Sequence, residues 1–286
     1  MQEELLREDI RLQLQTLRTL QTQPAVIAKI SQILQNPATN ADELGGAIRT
    51  DPVLASTVLK LVNSAFYGFP GKIGSINHAI VLLGFSTVKN IVLTASVLEL
   101  FKMNIDGDKF NPQAFWKHSL ACGVAAQSLA QAVGYERKEE CFVAGLLHDI
   151  GKLIMFQLIP KDFMRVIDFA GKTKSLFYDA ERKLLGISHQ EIGGMLIEQW
   201  RLPPQILNAV ASHHNPSAGN GDDCKLAAIV HCADIFARAI GYGNGGDNKI
   251  PIINDSVWDR LGLENTDLLL LFDNIEKEWR KADELL

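Results

Sequence analysis

The sequence predicts an all-α protein, and three features of the chain support that prediction. Apolar residues recur at helical spacing along most of its length. Proline, asparagine and aspartate stand next to the apolar segments, where they favour the first turn of a helix or its cap. With 47% apolar residues among 286, the chain can bury a large core, so extensive disorder is not expected.

The first half of the chain has the pattern of several short helices. Leucines at helical spacing predict a polar helix over residues 1–20, as an N-terminal arm or a piece of coiled coil. Further helices are predicted from Pro24 to about residue 34, over 40–49, from Pro52 to Val62, over 76–83 and over 85–101. The glycine- and proline-rich stretch AFYGFPGKIGSI predicts an ordered loop, and no strand alternation is visible there.

A change in composition between Met103 and Pro112 marks the best candidate boundary in the chain, because asparagine, aspartate, glycine and proline cluster there. The apolar spacing after it predicts helices at about 113–133, 138–157, 160–172, 175–185, 189–200, 204–213 and 225–240, and a last helical group over 256–284. The polar segment SAGNGDD at 217–223 is predicted to be a loop. No repeat of solenoid period is visible.

Charge and cysteine usage exclude several classes of protein. The charged residues are mixed in sign and sum to −5, so the basic face that binds phosphate backbones is missing and we expect no nucleic-acid partner. The N-terminus is charged and no apolar run has the length of a membrane span, so we expect a cytoplasmic protein without a membrane partner. The cysteines lack disulfide or zinc spacing and are interpreted as reduced core residues: Cys122, Cys141, Cys224 and Cys232.

The strongest local signal is LHDIGK at residues 147–152, where an imidazole and a carboxylate interrupt the apolar run VAGLL. Burying such groups is costly unless something pairs with them. A divalent cation is one such partner, and mixed imidazole and carboxylate ligands suit iron, manganese or zinc better than calcium or magnesium. His148 and Asp149 are therefore candidate metal ligands.

The other histidines strengthen this hypothesis, because six of the seven lie after the candidate boundary between Met103 and Pro112. Taken singly, His118 or His189 is more typical of a hydrogen-bonded histidine, and Asp234 of a helix residue paired with lysine or arginine. Taken together, five histidines and two aspartates favour a shared metal site. Without a metal, each of these side chains would need its own hydrogen-bond partner in the interior of the protein. The candidate ligands are His118, His148, Asp149, His189, His213, His214 and Asp234, whereas His231 is interpreted as an ordinary histidine.

The order of these residues resembles a known signature. His118, the dipeptide at 148–149 and Asp234 are similar to the H…HD…D pattern of the HD phosphohydrolase superfamily. HDIGK and the downstream histidines are similar to the ligand set of the HD-GYP subgroup, in which two or more metal ions are held. The glycine-tyrosine-proline motif of that subgroup is missing, since the chain continues with NPSAGNGDD. The resemblance therefore implies a metal site and does not extend to cyclic di-GMP hydrolysis.

The first half resembles the HDOD domain of bacterial signalling proteins. The similarity lies in QTQPAVIAKI, IRTDPVLASTVLKLVNSAFYG and KIGSINHAIVLLGFSTVKNIVLTASV, and it extends from about residue 17 to at least residue 240. Most HDOD domains resemble HD hydrolases that have lost metal ligands, whereas this chain keeps them. The resemblance implies a helical N-terminal HDOD subdomain over residues 1–110, followed by a multi-helix HD-superfamily bundle that binds metal over residues 111–286.

The resemblance also implies a division of the ligands between two divalent ions, of iron, manganese or zinc with iron favoured. One ion is expected at His118, His148, Asp149 and Asp234, and the second at His189, His213 and His214, with Asp149 as the bridge. Two such ions can activate water for in-line attack on a phosphoryl group. Asp149 and Lys152 are then the catalytic residues, with Lys152 binding a phosphate oxygen. A solvated lysine one turn after His148 is the alternative for Lys152.

Two functions stay open at this point. The chain is either a metal-dependent phosphohydrolase acting on a nucleotide or cyclic dinucleotide, or a signalling module that binds metal or nucleotide and a protein partner without catalysis. The motif NSAFYG at residues 63–68 either lines a groove against the metal subdomain or locks a loop onto the core. The second reading is favoured for aromatic residues in a glycine-rich turn. Both a monomer and a homodimer are compatible with the sequence.

Overall fold

The regular structure of the protein is helical, which confirms the predicted all-α fold class. The computed structural model describes residues 6, 8–13, 33, 36, 39–69, 71–101, 110–216, 222–263 and 267–283. The helices in these ranges are α1 Ala41–Arg49, α2 Pro52–Val62, α3 Ile76–Leu83, α4 Phe85–Phe101, α5 Pro112–Ala132, α6 Lys138–Leu147, α7 Ile150–Leu158, α8 Pro160–Thr173, α9 Phe177–Leu185, α10 His189–Gln199, α11 Pro204–Ser212, α12 Asp222–Ile240, α13 Asp255–Leu261 and α14 Asp267–Asp283.

Side-chain caps explain where several of these helices begin. The side chains of Asn40, Asp51, Ser75 and Asn111 each accept a backbone N–H from the first turn of the helix that follows. At α10, Ser188 and Glu191 form a reciprocal capping box. This box fixes the start of the helix that carries His189, so it also fixes the position of a candidate ligand.

The prediction of a single helix over residues 138–157 is wrong, because the structure has two helices there. Helix α6 ends at Leu147 and α7 begins at Ile150, with Asp149 between them at φ −99° and ψ 8°. Neighbouring side chains in an unbroken helix diverge by about 100°. The break allows His148 and Asp149 to face the same interior site.

Two hydrophobic clusters fill the described part of the protein. The smaller one joins α1 to α4 and contains Leu44, Val58 and Ile76. The larger one surrounds α5, α6 and α12 and also includes Leu93 of α4, so that α4 contributes to both clusters. The four cysteines are buried and form no disulfide, as predicted. The division of the chain after residue 110 stays a prediction.

The NSAFYG segment forms an ordered loop that is held against the core. Asn63 ends α2, where its Nδ2 donates to the Leu59 and Ile73 carbonyls and its Oδ1 accepts from the Ile73 amide. The ring of Phe66 packs on Phe142 of α6 with centroids 5.5 Å apart. The aromatic residues therefore lock the loop onto the helices of the second half, as the favoured reading predicted.

Some predicted segments lie outside the described residues. They include most of the N-terminal helix, of which residues 8–13 are helical, the helix after Pro24 apart from Ile33, and the segment 102–109. Most of the predicted loop at 217–223 also lies outside them. Within the described residues, one stretch, Lys138–Leu158, is long and apolar enough to cross a membrane, but 83% of its apolar window is buried inside the fold. Such burial is typical of the core helices of a globular domain.

Candidate metal centre

The seven predicted ligands converge on one buried site. His118 comes from α5, the residues at 148 and 149 from the α6–α7 junction, His189 from the start of α10, the pair at 213–214 from the end of α11, and Asp234 from α12. The ligand atoms of six of them lie close enough together to hold metal ions, and Asp234 Oδ1 lies 3.1 Å from His118 Nε2. Six of the seven residues are at most 2% exposed, while His214 is half-buried. The site therefore forms from residues that are distant in sequence.

Glycines allow the helices that carry these ligands to approach closely. A Cβ on Gly151 of α7 would overlap the backbone carbonyl of His189, and a Cβ on Gly193 of α10 would lie 2.9 Å from Val210. A Cβ on Gly145 of α6 would lie 2.7 Å from a backbone oxygen of α5. Each contact is shorter than side chains permit. The close packing of α5 with α6, and of α7 with α10, therefore depends on these glycines.

Subsite A is formed by His118, His148, Asp234 and the Oδ2 atom of Asp149. His118 Nε2 lies 3.1 Å from Asp234 Oδ1, and His148 Nε2 lies 3.3 Å from Asp149 Oδ2. His148 Nδ1 donates to the Gly145 carbonyl at 2.7 Å, so its Nε2 faces the carboxylates. Burial lowers the pKa of His148, but the Asp149 and Asp234 carboxylates outweigh burial, so this pKa lies well above its ordinary value. Among the described residues, neither His118 Nε2 nor His148 Nε2 has a hydrogen-bond partner.

Subsite B is formed by Asp149 Oδ1 and the Nε2 atoms of His189, His213 and His214. His189 Nε2 lies 3.1 Å from Asp149 Oδ1, 3.1 Å from His214 Nε2 and 3.3 Å from His213 Nε2. His213 Nδ1 donates to the Val210 carbonyl at 2.9 Å, so its Nε2 also presents a lone pair to the centre of the group. Several acceptor atoms thus face one another in a dry interior.

This donor set fits divalent metal ions. Ligand atoms bound 2.0–2.2 Å from one ion lie about 3.0–3.5 Å apart. The ligand atoms in the two subsites lie 3.1–3.7 Å apart, close to this spacing. Facing lone pairs and carboxylates repel one another unless a cation lies between them. Protonation does not supply that cation at His213 or His214, because burial lowers the pKa of His213 to about 3 and holds that of His214 well below its ordinary value. At His189 burial also lowers the pKa, but the Glu181 and Asp149 carboxylates outweigh it, so the pKa of that imidazole lies above its ordinary value.

Both carboxylates are kept in the ionised form that binds metal. Burial opposes ionisation, but His148 and Lys152 hold the pKa of Asp149 well below its usual range. Burial opposes the ionisation of Asp234 as well, and the Arg238 guanidinium outweighs it, so the pKa of Asp234 also lies well below its usual range. Both carboxylates of subsite A are therefore ionised at neutral pH.

Lys152 is completely buried, so the reading of this residue as a solvated lysine is wrong. Its Nζ donates to Asp149 Oδ2 at 2.7 Å and to the Gly245 carbonyl at 2.8 Å. Gly245 belongs to residues 241–249, named here the glycine loop, which is anchored by the Asn244 amide bonding to the Ala114 carbonyl at 2.9 Å. The glycine loop thus covers subsite A. The predicted contact between Lys152 and a substrate phosphate stays a prediction.

Arg238 supplies a second internal cation at subsite A. Its Nε donates to Asp234 Oδ1 at 2.7 Å, and its Nη1 donates to Asp247 of the glycine loop at 3.0 Å. Asp234 therefore pairs with an arginine, as expected for an isolated aspartate in a helix. It also faces His118, as expected for a candidate metal ligand. Within the described residues, no lysine or arginine hydrogen-bonds to the imidazoles of subsite B.

Glu181 on α9 is a site residue that the sequence pattern did not reveal. It is fully buried, its Oε1 lies 2.7 Å from His189 Nδ1, and the same oxygen accepts from the His189 amide at 2.9 Å. A carboxylate behind a histidine ligand fixes the orientation of the ring and raises its basicity. A signal was present, because Glu181 shares the buried face of α9 with Phe177, Ala180 and Leu185.

His231 supports the backbone of a ligand and does not join the metal group. Its Nδ1 donates to the His213 carbonyl at 2.7 Å, and its Nε2 accepts from the Asn254 amide at 3.4 Å. The amide oxygen of Gln190, in the orientation that satisfies its surroundings, accepts the backbone N–H groups of His213 and His214 at 2.9 Å each. These contacts hold the two adjacent ligands at the end of α11.

Comparison with known proteins agrees with the geometry. The profile of the HDOD domain matches residues 20–216. The chain belongs to the HDOD family. A solved HDOD domain protein of Geobacter sulfurreducens is 27% identical with a TM-score of 0.80, over 100% of this chain and 98% of that one. A candidate phosphohydrolase of Shewanella amazonensis, 23% identical with a TM-score of 0.73 over 97% and 98% of the two chains, shares the fold.

Curated relatives are longer than this HDOD protein. An uncharacterized protein of Treponema pallidum is 24% identical over 216 residues, which are 75% of this chain and 41% of that protein. Ribonuclease Y of Mycoplasma mycoides is 26% identical over 159 residues, which are 54% of this chain and 25% of that protein. The chain thus spans less than half the length of both. It is an HDOD domain with a histidine and aspartate cluster that could bind divalent metal.

Proposed function

We propose that this HDOD protein is a metal-dependent phosphohydrolase that holds two divalent ions, with iron favoured over manganese and zinc. The observation that carries the proposal is the position of Asp149 between two groups of ligands. Its Oδ2 lies 3.3 Å from His148 Nε2, and its Oδ1 lies 3.1 Å from His189 Nε2. One carboxylate shared by two groups of ligands is suited to a two-ion site.

The residues of the chain would prepare this site for reaction with a phosphoester. A pair of divalent ions supplies Lewis acidity toward a phosphoryl oxygen and lowers the pKa of a water molecule. Asp149 would hold the two subsites in register, and Lys152 would keep its carboxylate ionised. The ring of Phe177 lies 5.1 Å from Lys152 Nζ and helps to exclude water, so that charges act strongly there.

Lys152 would also contact the substrate, in agreement with its predicted catalytic role. Its ammonium group has three donor protons, and the contacts with Asp149 and Gly245 use two of them. The third would bind a phosphate oxygen as a point charge. The approach of substrate is expected on the side of His214, the half-buried ligand, whose ring lies 4.6 Å from that of Tyr178.

The expected substrates are nucleotides or other phosphoesters. The names of the Shewanella and Mycoplasma relatives, a candidate phosphohydrolase and a ribonuclease, denote enzymes of phosphoester cleavage and support this class. We place the reaction in the cytoplasm, with the protein as a monomer or homodimer.

A turnover assay tests the proposed activity. Protein loaded with iron(II) or manganese(II) is incubated with bis(4-nitrophenyl) phosphate, mononucleotides and cyclic dinucleotides. We expect turnover that Asp149→Ala abolishes and that Asp179→Ala, which changes an exposed aspartate on α9, leaves intact. Absence of turnover on the whole panel by fully metal-loaded protein would contradict the proposal.

A signalling module without catalysis is the second candidate function, and the covering of subsite A favours it. Lys152 donates a hydrogen bond to Asp149 Oδ2, an oxygen that would otherwise be free to bind metal. The glycine loop lies over His118 and Lys152. In this case metal or nucleotide would change the affinity for a protein partner. Capture of a signalling partner that is equally strong with the wild type and with Asp149→Ala, together with absence of turnover, would favour this function.

A further inference from the structure

A cavity lies where the NSAFYG loop and α4 meet α5 and α6, away from the metal centre. It has a volume of about 340 Å³. Small-molecule sites range from about 300 to 1,000 Å³, so the cavity matches a small ligand. Residues of both halves of the chain line it, among them Phe66 of the loop, Asn90 of α4, Gln127 of α5 and Phe142 of α6.

Some of the polar side chains that line this cavity have no hydrogen-bond partner among the residues that the structure describes. Asn90 and Ser128 both line it and are only 5% and 4% exposed. Asn90 Nδ2 makes no hydrogen bond with any described residue. The side chains of Ser128 and Gln127 likewise make none within the part of the chain that the structure describes. Buried polar groups without partners are costly, so their presence beside a cavity points to a ligand that satisfies them.

The aromatic lining indicates the shape of that ligand. The rings of Phe66 and Phe142 lie 5.5 Å apart, and Tyr67 meets Phe66 edge to face at 5.0 Å. Aromatic faces bind planar rings. The carboxamides of asparagine and glutamine each offer a donor and an acceptor, the pattern that pairs with the edge of a nucleobase. A planar heterocycle with donors and acceptors on its edge therefore suits both kinds of wall.

The charges at the cavity select against phosphate. Glu139 and Glu278 line it together with a single lysine, Lys138. Lys281 bonds to Glu278 at 2.7 Å and offsets one of the carboxylates. The lining thus has no excess of positive charge, and a phosphate group would be poorly accommodated beside the two carboxylates.

We propose that this cavity binds an uncharged nucleoside, with Asn90 and Gln127 at the edge of the base and Phe66 and Phe142 as its apolar walls. The site is separate from subsites A and B. The proposal does not rest on hydrolase activity, and a failure of either one leaves the other intact.

Calorimetric titration of the full chain with adenosine, guanosine, cytidine and uridine tests the proposal. We expect saturable binding of at least one nucleoside and weaker binding of its 5′-monophosphate. Gln127→Ala is expected to weaken binding by about tenfold, since it removes a buried hydrogen bond. Gln113→Ala, at an exposed position of the same helix, is the matched control and should bind as the wild type does.

Asn90→Leu is the second variant, and it should weaken nucleoside binding at least as much as Gln127→Ala does. A thermal melting curve shows whether this variant folds. Gln127 is only half-buried, so the alanine variant there keeps the test valid if Asn90→Leu unfolds. Absence of binding by all four nucleosides, or binding that Gln127→Ala leaves unchanged, would overturn the proposal. If the cavity holds only water, none of the four nucleosides will bind.

Discussion

Subsites A and B share Asp149 but balance their charges differently. In subsite A the two aspartates contact fixed cations, Lys152 at 2.7 Å and Arg238 at 2.7 Å. Subsite B gathers three imidazoles around a single carboxylate oxygen. Fixed cations satisfy carboxylates in the absence of metal, whereas the facing imidazoles of His213 and His214, whose pKa values burial lowers, have no such compensation. We infer that subsite B depends more strongly on a metal ion for its structure than subsite A does.

The two subsites also differ in their exposure. The glycine loop covers subsite A, where Gly245 is so close to His118 that a Cβ would lie 3.0 Å from its Nε2. In subsite B, His214 is half-buried and lies against the half-buried ring of Tyr178. An ion in subsite B is therefore expected to exchange with solvent faster than an ion in subsite A.

Among the variants that change a single subsite, the largest expected effect comes from removing a ligand of subsite B. His213→Ala should lose the ion of subsite B and keep about one equivalent of metal in subsite A, because the two groups share only Asp149. Elemental analysis of the purified variant measures this. His78→Ala, at an exposed histidine on α3, is the control. Retention of both ions by His213→Ala would show that the two groups of ligands are not separate sites.

Lys152→Met should reveal the role of the internal cation at subsite A. Without metal, the variant leaves the buried Asp149 carboxylate without its lysine partner, which should lower the free energy of unfolding by about 3–5 kcal/mol. With metal bound, the loss should be smaller, since the ion replaces the missing charge. Urea denaturation with and without chelator measures both values. Lys161→Met, at an exposed lysine on α8, should change neither of them, and an equal loss with and without metal in Lys152→Met would refute the comparison.

Glu181→Gln should have the smallest effect and should act on subsite B alone. The variant removes the negative charge behind His189, so metal affinity at subsite B should fall by about 10–100-fold. A competitive metal titration measures the two affinities. Glu198→Gln, at an exposed position of α10, is the control. An equal fall in metal affinity at both subsites would argue against the proposal that Glu181 acts on subsite B through His189.

The helices and the candidate ligands were both predictable from the pattern of apolar residues along the chain. Apolar spacing and capping residues mark helices locally, and a histidine or aspartate within an apolar face needs a buried partner. The break at His148 and Asp149 was not predictable, because apolar residues at helical spacing continue on both sides of this pair. The burial of Lys152 was not predictable either, since its partner Gly245 lies 93 residues further along the chain.

Metal content is the measurement that tests the account most directly. Protein purified without added metal is analysed for iron, manganese and zinc, and the wild type is compared with Asp149→Ala. The account predicts about two equivalents of divalent metal in the wild type and almost none in the variant, because Asp149 serves both subsites. A well-folded wild type without metal, or an Asp149→Ala variant that keeps both ions, would contradict it.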